Sequence, residues 1–175
     1  EAATQVSAAD TTLVVYRENR YCPFASRLPQ HYGPRIEAID GVKTVVPIQI
    51  LVSNCRASLD VVTFRGVPEE AFIARMAGKM DVVQGSLQDW QRRSDSALVG
   101  ESLAVRRGVR VGEPFTAAGV TVYVAGIIRS DEPQDQNVLY THLNFIQETM
   151  VRGGTGGVVT QFNVEVDDPA QIERV

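Results

Sequence analysis

Apolar and polar positions follow two different styles along this chain. "TTLVVYRE" (11–18) is β-branched and aromatic and predicts a strand. Residues 19–33, "NRYCPFASRLPQHYG", keep no sustained period and contain Pro23 and Pro29, which predicts a long ordered loop. "PRIEAIDG" (34–41) predicts a helix, with Pro34 at its start, Ile36 and Ile39 on one face and Gly41 as the stop. "VKTVVPIQILVSN" (42–54) and "LDVVTFRGV" (59–67) read as strands joined by the polar turn "CRAS", and Pro47 places the first at a sheet edge or a bulge. "PEEAFIARMAG" (68–78) repeats the helix recipe, with Phe72, Ile73 and Met76 as its apolar stripe.

Residues 80–131 change character, with short strands and glycine turns. "DVVQGSL" leads through the polar "QDWQRRSDS" to "LVGESLAVRRGVRVG" (98–112), a strand at Leu98 and Val99, a turn at Gly100 and a short helix. "PFTAAGVTVYVAGII" (114–128) predicts a hairpin turning at Ala118-Gly119, with Val120, Val122 and Val124 alternating against Thr121 and Tyr123. "RSDEPQDQN" (129–137) reads as a solvated loop. The first style then returns in a helix, "LNFIQETM" (143–150), a glycine loop, "RGGTGG" (152–157), and a strand, "VVTQFNVEV" (158–166). A closing helix is capped by Asp168 and opened by Pro169. The expected fold is α+β: segments of βαβ type at both ends, 1–79 and 132–175, flank a smaller β-rich insert, 80–131.

Composition narrows the function. The chain is 44% hydrophobic and 22% charged, with both signs scattered, as in ordinary globular proteins. A net charge of −4 argues against a nucleic-acid surface, which needs a basic field to displace counterions. The longest apolar run, "VVPIQILV" (45–52), is strand-sized and interrupted by Pro47. The chain begins "EAATQVSAAD" and stops inside "DDPAQIERV", which predicts a piece of a longer polypeptide. Cys22 and Cys55 allow two readings: separate buried thiols, or a disulfide. If 12–18 and 43–54 are parallel neighbours, both cysteines lie just past corresponding strand ends. That arrangement favours a bridge and an oxidising compartment.

Candidate chemistry centres on Ser102. "GESLA" has the small flanking residues, Gly100 and Ala104, of a nucleophile elbow. Such a serine needs a histidine base, and only His31 and His142 are available, which would make a small secreted serine hydrolase. The competing reading puts Glu101 and Ser102 in the first turn of a helix, where acids and hydroxyls are favourable. "RGGTGG" lacks the following helix and lysine of a phosphate loop and reads as a connector. No close-spaced cysteine or histidine pairs indicate zinc, and no cofactor is expected. Arg106, Arg107 and Arg110, with Arg92 and Arg93 nearby in sequence, form either a solvated basic face or a steering patch for an anionic partner. Trp90, the sole tryptophan, is a core or an interface anchor.

The ordered series "IEAIDGVKTVVPIQI", "VTFRGVPEEAF", "VVQGSL", "ALVGESLAVRRGVRVGEPFTAAGVTVYVAGII" and "FNVEVDDPAQIERV" resembles the periplasmic core domain of MacB/FtsX-type ABC-transporter permeases over residues 33–175. The resemblance implies a non-catalytic domain on the periplasmic face of the cytoplasmic membrane, inserted between two membrane helices of a permease. It implies a porter-like lobe made by both chain ends (1–79 and 132–175) and an inserted sabre-like lobe (80–131). The implied partners are a cytoplasmic ATP-binding subunit or domain acting through the membrane helices, a second permease protomer, and a periplasmic adaptor or exported substrate. A free-standing periplasmic binding module is a further reading. From the residues, the expected partner-contact loops are 129–137, with Asp131, Glu132, Gln134 and Asp135, and 152–157, with Arg152, Gly153, Gly154 and Thr155. "YCPF" departs from the family pattern and reads as a local elaboration.

Overall fold

The computed structural model describes residues 2–6, 12–18, 25–53, 61–150 and 157–167. The strands are β1 (Ala2–Val6), β2 (Thr12–Arg17), β3 (Leu28–Pro29), β4 (Val42–Val52), β5 (Thr63–Val67), β6 (Met80–Gly85), β7 (Ser96–Gly100), β8 (Pro114–Ala117), β9 (Val120–Ser130), β10 (Val138–His142), β11 (Val158–Val159) and β12 (Gln161–Val166). The helices are α1 (Gly33–Glu37), α2 (Glu69–Met76), α3 (Leu87–Arg92), α4 (Glu101–Arg107) and α5 (Leu143–Met150), with single 3-10 turns at Gln30–Tyr32 and Pro133–Asp135. The fold is α+β around a core that is mostly sheet.

One ten-stranded sheet follows the order β1-β2-β12-β4-β5-β10-β7-β9-β6, with β8 paired to β9, and β3 and β11 form a separate small ladder. From β5 to β6 the sheet is covered on both faces, and side-chain alternation sorts its residues between them. Val138, Tyr140 and Leu98 point to one side with Phe72, Met76 and Trp90 of α2 and α3. Leu139, Ala97 and Val99 point to the other with Leu103 and Ala104 of α4 and Ile146 of α5. Gly66 lets α5 lie close, because a Cβ there would meet Ile146 Cβ at 3.2 Å. The β2, β12 and β4 portion has its own core of Leu13, Val159, Phe162, Val164 and Val166, with Ile36 of α1 packed against it.

The 118–119 hairpin forms as expected, with Ala118 (φ 52°) and Gly119 (φ 77°) both left-handed, the conformation a two-residue turn between twisted strands requires. Two elements differ from the sequence reading. The polar stretch after Gly85 contains α3, capped by Ser86, whose Oγ accepts from the backbone N–H groups of Gln88 (3.0 Å) and Asp89 (3.3 Å). Residues 138–142 form β10, which sits between β5 and β7 and pairs with both.

The strands that precede the two cysteines are also not the adjacent pair expected. Tyr16 and Ile48 both align with Gln161, so β2 and β4 run parallel and in register, but β12 lies between them and they are not neighbours. Cys22 and Cys55 lie outside the described residues. So do Asp168, Pro169 and the expected closing helix.

Candidate functional site

The expected contact loop 129–137 is anchored from below by a buried polar cluster. Asp135 is 1% exposed, which corrects the reading of this segment as a solvated loop. Its Oδ1 accepts a hydrogen bond from the Tyr140 hydroxyl and lies 3.5 Å from Arg65 Nη1. Its Oδ2 accepts from Ser130 Oγ at 3.1 Å and lies 3.5 Å from Arg75 Nη2. Arg75 also donates to Glu132 Oε2 at 2.9 Å, and the backbone N–H of Glu132 donates to Ser130 Oγ at 3.1 Å. A carboxylate withdrawn from water is tolerated because four side chains on four elements turn toward it.

Register explains the convergence. Parallel pairing sets Tyr140 of β10 beside Arg65 of β5. Arg75 comes from the last turn of α2, and Ser130 ends β9. Burial pushes the Tyr140 phenol up to about 12; Asp135 reinforces that shift, while Arg65 and Arg75 oppose it. Burial works against the Arg75 charge, but Tyr140, Asp135 and Glu132 outweigh it and hold the guanidinium above its ordinary pKa. The Nε atoms of Arg65 and Arg75 are buried without a hydrogen-bond partner among the described residues.

The far side of the loop rests on α4. A Cβ on Gly100 would sit 2.4 Å from Asp135 O and 2.5 Å from Gln136 O, so glycine is required at this position for close approach. The Leu103 N–H donates to Gln136 O at 3.1 Å, and Arg106 donates to Asn137 Oδ1 at 2.8 Å. Held this way, residues 131–137 form a polar elbow that presents Asp131, Pro133, Gln134 and Asn137 to solvent, with Glu132 half-buried. Arg152, Gly153, Gly154 and Thr155 lie outside the described residues.

Ser102 sits in the first turn of α4 and donates to Gln136 Oε1 at 3.4 Å. Neither histidine is brought to it. Thr141 of β10 pairs with Ala97 of β7, so His142 lies toward the start of β7, about 13 Å of strand from Gly100. Its ring stacks on Trp90 with centroids 4.1 Å apart, and its Nε2 lies 2.8 Å from Trp90 O. His31 packs edge-on against Tyr32. Trp90 itself is 0% exposed and donates to Tyr140 O at 3.1 Å, so it anchors the core.

Arg92 and Arg93 are each engaged by an acid. Arg93 forms two hydrogen bonds to Asp95 (3.0 and 2.9 Å), which hold that carboxyl below its usual range, and covers the Tyr123 ring at 4.3 Å. Arg92 lies 3.7 Å from Asp89. Among the described residues, no cluster of three or more histidine, cysteine or acidic side chains could hold a metal ion, and no helix is long and apolar enough to cross a membrane.

The buried anchor under 131–137 had no signal in the sequence, because its arginines stand 60 and 70 residues from Asp135. The capped α3 did have one: Ser86 precedes Asp89 at capping distance.

A mixed α+β domain with a mostly-sheet core and a buttressed polar elbow at one sheet end is the class defined by this geometry. The chain belongs to the MacB-like periplasmic core domain family, whose model matches residues 1–175. Its fold is similar to the periplasmic region of MacB from Actinobacillus actinomycetemcomitans, at TM-score 0.62 and 14% identity over 90% of this chain and 75% of that one. It is also similar to the extracellular domain of the noncanonic ABC-type transporter YknZ from Gram-positive bacteria, at TM-score 0.58 and 17% identity over 85% and 78% of the two chains. No curated protein matches the sequence.

Proposed function

We propose that this chain is the extracytoplasmic domain of an ABC-transporter permease of the MacB/FtsX type. In this reading it catalyses no reaction and passes ATP-driven movement of the membrane helices to a substrate or partner protein outside the membrane. The observation that carries the reading is the family match along residues 1–175. The partners are a cytoplasmic ATP-binding subunit or domain acting through the membrane helices, a second permease protomer, and an adaptor or exported substrate. The division into a porter-like lobe (1–79 and 132–175) and a sabre-like lobe (80–131) belongs to the same proposal.

The elbow supports this role physically. A contact element that transmits force must not yield before its partner does, and Asp135 ties 131–137 to β5, β9, β10 and α2. Contact with the partner falls to Asp131, Glu132 and Gln134, while Asp135 holds them in place.

The test uses the parent protein with its ATPase. Spectroscopic labels at Gln134 in both protomers should change separation between nucleotide-free and ATP-trapped states. An unchanged separation, or a parent polypeptide without hydrophobic spans flanking this segment, overturns the proposal.

A further inference from the structure

The described sheet is two ladders spliced through one strand. Residues 42–48 of β4 pair with β12, and residues 49–52 pair with β5, so β4 changes partner between Ile48 and Gln49. The reason is chemical. Continuing the β5 register one step past Val67 would set Pro47 opposite Pro68, two residues with no N–H to donate, and the second ladder stops short of them.

The splice is held chiefly by one residue, Thr160, rather than by a ladder. Thr160, fully buried between β11 and β12, donates its N–H to Ile48 O at 2.9 Å. Its Oγ1 accepts from the Ile50 N–H at 2.9 Å and from Gln49 Nε2 at 2.9 Å. A second polar tie between the two parts is Gln147 of α5, whose Nε2 donates to Gln30 Oε1 (2.8 Å) and Val158 O (2.9 Å). Leu143 of α5 adds an apolar contact to the β2–β12–β4 core. Most of each part's apolar side chains lie in its own core, one under α1 and the other between the α2–α3 and α4–α5 layers, while Val46 and Ile48 of the β12-paired half of β4 pack into the second.

We propose that β4 is a flexure at Ile48–Ile50, about which the β1–β2–β12 portion and the β5–β10–β7–β9–β6 portion tilt as two stiff plates, and that Thr160 is the clip that sets its stiffness. Strands that pass between sheets are where β structures turn corners. Hinges are formed by the few residues whose rearrangement breaks least. Bending here disturbs the Thr160 and Gln147 hydrogen bonds and the few apolar contacts of Leu143, Val46 and Ile48, and leaves every ladder intact. The flexure is a property of this chain alone, so its failure would leave the transporter reading untouched.

The experiment places spin labels through a ketone-bearing residue, leaving Cys22 and Cys55 unmodified. One pair, at Glu37 and Glu113, spans the splice; a control pair, at Gln88 and Glu113, lies within one plate. Thr160→Val should widen the distance distribution of the spanning pair and leave the control pair unchanged, and Thr160→Ser should restore it. Exchange of the Ile50 amide should speed up roughly five- to tenfold in Thr160→Val, the equivalent of one lost hydrogen bond. If Thr160→Val does not fold, Gln147→Leu carries the same comparison. A spanning pair that stays as narrow as the control, or both pairs widening together, overturns the flexure.

Discussion

Tyr140 donates its phenolic hydrogen to the buried carboxylate of Asp135, five residues earlier in the chain. The bond closes the elbow onto β10, and both groups are almost without solvent. Asp135→Asn removes the charge that Arg65 and Arg75 share and should cost about 3 kcal/mol, because it takes the carboxylate from part-buried Arg65 and leaves Arg75 to Glu132. Urea unfolding measures this. A loss below ~1 kcal/mol would mean that the cluster contributes little.

The same pair sets an alkaline limit. Burial raises the Tyr140 phenol from 10.0 to about 12, so the folded state holds this proton more tightly than the unfolded chain does. The resulting stability is fully present below pH 10 and is lost as the pH rises through 12, on the order of 2–3 kcal/mol. Tyr140→Phe should flatten that part of the pH–stability curve, as followed by circular dichroism. A curve unchanged by the substitution would contradict this assignment.

Gly100→Ala should be among the most damaging single-methyl changes in the chain. The added carbon meets two backbone oxygens that cannot move without displacing the elbow. The expected loss is ~3 kcal/mol, the upper part of the usual range for overpacking. Gly108→Ala, with nothing within 4 Å of its Cβ but φ at 62°, serves as the comparison for strain without a clash.

Ser102→Ala should change stability by no more than about 0.5 kcal/mol, since its hydroxyl is exposed and makes one long bond. A fluorophosphonate probe should leave the protein unmodified. Stoichiometric labelling that disappears in Ser102→Ala would instead establish the serine as a nucleophile.

Asp131→Lys combined with Gln134→Lys should leave the melting temperature near that of the parent and impair the permease in cells, since both side chains are exposed while Asp135 below them is untouched. Retained transport or partner regulation in this double variant would move the contact surface elsewhere.

Local chemistry was legible from residues alone. The strand at 12–17, the left-handed Ala118-Gly119 turn, and helices α2 and α5 follow from side-chain periodicity and from proline and glycine placement, which act over a few residues. The order of family motifs carried the class of the domain. Tertiary structure alone decided what depends on distant partners. It inserted β12 between β2 and β4, recruited 138–142 as a central strand, and turned an acid in a polar loop into a buried anchor. Pairing partners and desolvation are set by residues tens of positions apart, and no local pattern around Asp135 encodes the arginines that neutralise it.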